Sequence, residues 1–130
     1  MLLRGFGVLL IVMAAVNGWA GELQGSGWRH VRTIGLMDFV LIDKGSEFNR
    51  DVYQLAFGKI CGHRQLVFCK VLFWSDAKLV PAKMPMTDAQ VAGLRANFTY
   101  NSKTGARSIM WSCDIAPPKD REDGACFSRD

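Results

Sequence analysis

Four cysteines offer the most chemistry in this chain of 130 residues: Cys61, Cys69, Cys113 and Cys126. A cysteine can act as a nucleophile, a metal ligand or a disulfide partner, and its neighbours decide which. Cys61 opens the run Cys61-Gly62-His63-Arg64. A cation near a sulfur lowers the thiol pKa, so a thiolate paired with His63 or His30 is the catalytic reading. Two facts oppose it. No local nucleophile motif surrounds Cys61, and a disulfide would consume the thiol. Neither C-x-x-C nor H-x-x-x-H spacing occurs, so no metal site and no cofactor is expected.

The carboxylates carry less. Asp38, Asp43, Glu47 and Asp51 fall where turns and a helix start account for them. Asp76 follows a strand end, where sites gather in open sheets, but turn formation explains it as well. Phosphate loop, nucleophile elbow and dinucleotide fingerprint are absent from the sequence. No catalytic residue is therefore assigned. Trp28, Arg29, Trp74 and Trp111 form a candidate partner surface, with Arg32 and Arg107 as further cations, because tryptophan and arginine are enriched at such surfaces. Core packing is the competing role for Trp74 and Trp111, which fall on expected strands.

The leader sets the compartment. Arg4 precedes an apolar run over residues 6–16, and Gly18 and Ala20 stand where a signal peptidase prefers small residues. Residues 1–20 read as a signal peptide cut after Ala20. The run is shorter than the ~20 residues of a spanning helix, which weighs against the alternative of an uncleaved membrane anchor. An exported chain keeps disulfides. Four cysteines then mean two bridges, in one of three connectivities, with Cys61–Cys69 and Cys113–Cys126 preferred. Left unpaired, Cys126 would link two chains.

Loss of Arg4 lowers the formal charge from +4 to +3. That value predicts no nucleic-acid partner. The remaining 110 residues suffice for one domain. Residues 21–33, with Gly21, Gly25 and Gly27, read as a flexible lead-in, and residues 34–116 as the globular domain. Residues 34–42 read as one strand buried on both faces. Ser46 then caps a helix whose stripe is Phe48, Val52, Leu55, Ala56 and Ile60, with Gly62 as its terminator. Residues 66–74 read as the clearest strand. Thr87 and Gln90 form a capping box, with Met86 and Val91 as its staple, for a second helix striped by Val91, Leu94 and Phe98. Residues 108–113 form a last strand, and residues 117–130 a polar tail pinned by Cys126.

The expected fold is α+β: a small, disulfide-stabilised domain of three strands and two helices in the order β-α-β-α-β. The alternative is a small parallel α/β unit. Cys113 bonded to Cys61 or Cys69 would favour antiparallel pairing of the last strand with the second. The expected function is a non-enzymatic, periplasmic or secreted binding or inhibitor-type module, its partner a protein or cell-envelope component. A small thiol or carboxylate hydrolase and an envelope-associated structural protein are the alternatives. A membrane is a partner only if the leader stays uncleaved.

Overall fold

The computed structural model describes residues 23–128, so the leader and its cut after Ala20 lie outside the described residues. The elements in chain order are β1 (Gln24–Gly25), β2 (Trp28–Ile34), β3 (Met37–Ile42), α1 (Arg50–Arg64), β4 (Phe68–Trp74), α2 (Asp88–Gly93), β5 (Ala96–Asn101), β6 (Arg107–Ser112), α3 (Pro118–Glu122) and β7 (Cys126–Phe127). The strands lie side by side in that same order, in a single sheet of seven. β3 and β4 are parallel, joined by the α1 crossover, and β6 and β7 are parallel; every other neighbouring pair is antiparallel. The domain is thus α+β with a mixed sheet, and seven strands among the described residues replace the expected three. A parallel strand–helix–strand unit exists only locally, at β3–α1–β4.

The extra strands arise where local signals misled. From Gln24 onward the expected flexible lead-in is folded: β2 begins at Trp28, whose side chain is buried. The single strand expected over residues 34–42 is the close of a hairpin. Gly35 takes φ +60°, a left-handed turn that suits glycine, and the chain reverses there into β3. The second helix stops at Gly93, and Phe98 lies on β5. A Cβ on Gly93 would sit 2.6 Å from the Leu79 side chain, so a larger residue there would have to displace it. Ala96 and Phe98 then alternate with less buried residues at strand spacing. It is β5, not the last strand, that pairs antiparallel with β4. The tail contains α3 and β7 and is tied to the sheet edge by Cys113–Cys126.

Helix α1 follows the expected pattern more closely. Val52, Tyr53, Ala56, Phe57 and Ile60 face the core. Its cap is Asn49, whose side chain accepts from the Asp51 N–H, while Ser46 belongs to a preceding 3-10 turn. It runs through Gly62 to Arg64 and ends on Gln65 at φ 52°. Thr87 and Gln90 do form the capping box of α2, but Val91 is half exposed rather than stapled.

Two cores flank the sheet. Under α1, five aromatic contacts join Tyr53, Phe57, Phe73, Phe98 and Trp111 at centroid spacings of 5.0–5.2 Å. Edge and tilted contacts of this kind each contribute about 0.5–1.5 kcal/mol beyond area burial. On the other face, Phe39, Leu72, Trp74 and Val80 pack together, and the Trp74 Nε1–H donates to the Gln90 carbonyl at 2.9 Å. The sheet has two ends that matter below. The upper end holds the C-termini of β3 and β4. The lower end holds the β2–β3 turn, the exit of α1, the start of β4 and the β5–β6 turn.

Candidate functional site

The four cysteines form two disulfides, Cys61–Cys69 and Cys113–Cys126, with Cα atoms 5.7 and 4.9 Å apart. No free cysteine exists among the described residues. The Cys61 thiolate chemistry therefore has no thiol to use. Because Cys113 pairs with Cys126, the cysteines give no report on strand direction. The tryptophans are not a surface. Trp28 and Trp111 are buried under α1, and Trp74 is buried in the opposite core. Strand alternation sends them to opposite faces, and each indole gains more from packing than from solvent. Arg29 stays exposed at the start of β2, separated from them.

At the upper end, Arg95 is almost fully buried, at 1% exposure. Its Nη1 donates to Asp114 Oδ2 at 2.8 Å. Its Nη2 lies 3.1 Å from Glu47 Oε1, an ion-pair contact whose angle leaves Nη2 without a hydrogen bond. The Ser75 hydroxyl donates to Glu47 at 2.8 Å, the Ser112 hydroxyl to Asp114, and Tyr53 to the Glu47 carbonyl at 2.7 Å. Burial pushes the Asp114 carboxyl up, but the Ser112 hydroxyl and Arg95 outweigh it and hold the pKa below the ordinary range. Burial pushes the Tyr53 phenol up to about 12 against the opposing pull of Arg95. Both serine hydroxyls point into carboxylates, so neither is activated as a nucleophile. The cluster ties the loop before α1 to the ends of three strands.

At the lower end, Asp38 is buried at 3% exposure. It accepts from His30 Nε2 at 2.8 Å, Thr33 Oγ1 at 2.7 Å and Arg64 at 2.6 and 3.2 Å. Burial raises its pKa, but the bonds from His30, Arg64 and Thr33 win and lower it from 3.8 to about 2. Thr33, His30 and a carboxylate invite comparison with a catalytic triad. That mechanism needs the carboxylate on one ring nitrogen and the hydroxyl on the other. Here both partners approach Nε2, and Thr33 donates to Asp38. The group instead fastens the β2–β3 hairpin to the exit of α1. Asp38, expected to serve a turn, lies instead inside β3 and is buried, where a carboxylate in an apolar strand demands a partner. No group of three or more His, Cys, Asp or Glu side chains suited to a metal occurs among the described residues.

Beside this lower cluster lies an open groove of about 510 Å³, between α1 and the β5–β6 hairpin. Phe57, Gly58, Cys61, Gly62, Tyr100 and Arg107 line it. The Arg107 guanidinium sits over the Phe57 ring at 5.6 Å. A Cβ built on Gly58 or Gly62 meets no heavy atom within 4 Å. The groove is therefore apolar, carries one cation on its wall, and has a floor kept low by two helix glycines. A second cavity of about 500 Å³ opens at the start of α1, around Gly45, Phe48 and Asn49. Comparison with protein-family models, with curated proteins and with solved structures finds no significant match to this chain.

Proposed function

We propose that this chain is a small, exported, non-enzymatic binding module that works in an extracytoplasmic space, periplasmic or secreted, and takes a partner protein or envelope component in the α1–β5–β6 groove. Two disulfides fit an oxidising compartment outside the cytoplasm. The observation that carries the binding reading is the pair of glycines in α1. A glycine inside a helix costs about 1 kcal/mol relative to alanine. Gly58 and Gly62 have no close neighbour that demands their small size. Their common effect is to leave the groove open beside Phe57, Tyr100 and Arg107. Against catalysis stand the oxidised cysteines and polar clusters whose hydroxyls are spent on carboxylates.

Gly58→Leu tests this reading because it puts an apolar side chain into the groove from a position where an added Cβ meets no heavy atom within 4 Å. Oxidised protein and the variant are immobilised in parallel and challenged with envelope extract. A component held by the native chain and released by the variant, with the melting temperature not lowered, is the expected result. Equal retention by both, or turnover of a substrate by the oxidised chain on a hydrolase panel, overturns it.

A further inference from the structure

Nine large apolar side chains are markedly exposed among the described residues. Several, such as Phe48, Leu55 and Val91, stand on separate elements, and scattered exposures of this kind need no explanation. Four do not fit that description. Leu36 is 65% exposed on the β2–β3 turn, and Leu66, Val67 and Phe68 are 43, 50 and 44% exposed where α1 hands over to β4. All four belong to the lower end of the sheet.

That end is also basic. Segments 32–38, 61–70 and 99–107 meet there and contain Arg32, Arg64, Lys70, Lys103 and Arg107, with His63 beside them. Their only carboxylate is Asp38, which is buried and already bonded by His30, Thr33 and Arg64. Asp38 offsets Arg64, and no other carboxylate in these segments offsets Arg32, Lys70, Lys103 and Arg107. The loops are also locked together. Arg64 ties the hairpin to α1 through Asp38 and Thr33, and Cys61–Cys69 ties α1 to β4. The Ser102 N–H, in the β5–β6 turn, donates to the Val67 carbonyl at 2.8 Å. A partner thus meets apolar tips that are already ordered and loses little entropy in fixing them.

We propose that this lower end docks on an anionic lipid surface, with Leu36, Leu66, Val67 and Phe68 entering the interface and the surrounding cations facing the headgroups. Charge complementarity points to an anionic occupant. The placement of the apolar residues points to lipid. Leu36, Leu66 and Val67 stand in connecting loops and Phe68 opens β4, and none of them lines a groove described above, so they present an apolar edge suited to a deformable interface. No helix among the described residues is long and apolar enough to cross a membrane, so the contact is peripheral. The proposal goes beyond the binding reading and does not require it: docking would place the groove beside a membrane whatever the groove holds.

The test is flotation of the oxidised chain recovered from the extracytoplasmic fraction. It is mixed either with vesicles of phosphatidylcholine alone or with vesicles of phosphatidylcholine and phosphatidylglycerol. Binding to the mixed vesicles only, falling as salt is raised, is expected. Leu66→Ser combined with Phe68→Ser is expected to weaken it by roughly tenfold or more, and Lys103→Glu severalfold. Leu55→Ser, at a leucine of α1 that is more exposed than either Leu66 or Phe68, is expected to change nothing. Melting temperature checks that each variant is folded. Absent flotation, equal flotation on neutral vesicles, or indifference to the Leu66 and Phe68 changes overturns the proposal. So does protection of the same loops by an acidic polypeptide without vesicle binding. Gly58→Leu separates the two readings: it removes a groove ligand and leaves flotation intact.

Discussion

The two ends of the sheet solve the same problem and leave opposite surfaces. Each buries an ion cluster that ties loops together: Arg95 with Glu47 and Asp114 above, Asp38 with Arg64 and His30 below. At the upper end the buried member is the cation, its partners are carboxylates, and hydroxyls complete the network. At the lower end the buried member is the carboxylate, and the cations lie outside it. Arg64 keeps 32% of its side chain exposed while it holds Asp38. The lower end therefore shows positive charge and apolar tips to solvent, whereas the upper end shows mixed charge. A similar device for fastening loops leaves carboxylates beside the cation at one end and cations without an exposed carboxylate in the neighbouring segments at the other. Only the second has the character of an attachment surface.

Removing the arginine should hurt most where the charge left behind is deepest. Arg64→Met leaves Asp38, only 4% exposed, without its cation and is expected to cost about 3–5 kcal/mol in urea unfolding. Arg95→Met leaves Glu47 and Asp114, which keep 17 and 46% of their side chains exposed, and should cost clearly less; equal losses would erase the distinction between the ends. Replacing Cys61 and Cys69 together by alanine is expected to cost about 2–4 kcal/mol and to loosen the lower loops selectively, visible as faster amide exchange near Val67.

Acid should also act on the lower end. The folded pKa of Asp38, about 2, lies below its ordinary 3.8. Its stabilising contribution is therefore present above pH ~4 and lost as pH falls toward 2, an effect of roughly 2 kcal/mol. Asp38→Asn should flatten stability against pH across that window, as read from denaturant midpoints. The smallest change expected is a gain: Gly58→Ala should stabilise the chain by about 0.5–1 kcal/mol, measured as a higher melting temperature.

Some of this was legible in the chain. The count of cysteines and the leader pointed to bridges, and the nearest-neighbour pairing is the one present. The stripe from Val52 to Ile60 marked α1, and Thr87 with Gln90 marked the start of α2. The hairpin at Gly35 was hidden because apolar residues continue on both sides of it, as two buried strands require. β5 was hidden because Val91, Leu94 and Phe98 happen to match helical spacing. The helix ends at Gly93 and Leu94 is already extended, which the apolar spacing does not mark. The tryptophans misled because residue type alone does not say which face of a strand is covered. Asp38 and Arg64 are 26 residues apart and meet only after α1 has crossed the sheet. Leu66 and Val67 read as strand interior, yet the left-handed exit at Gln65 leaves them in a connecting loop.

Amide hydrogen exchange of the oxidised extracytoplasmic chain, with and without phosphatidylglycerol-containing vesicles, compares both ends in one experiment. Protection confined to the β2–β3 turn, residues 65–68 and the β5–β6 turn, with none at Glu47, Ser75 or Asp114, is the expected result. Protection at the upper end, or no protection at either, would contradict the assignment of the lower end as the docking face.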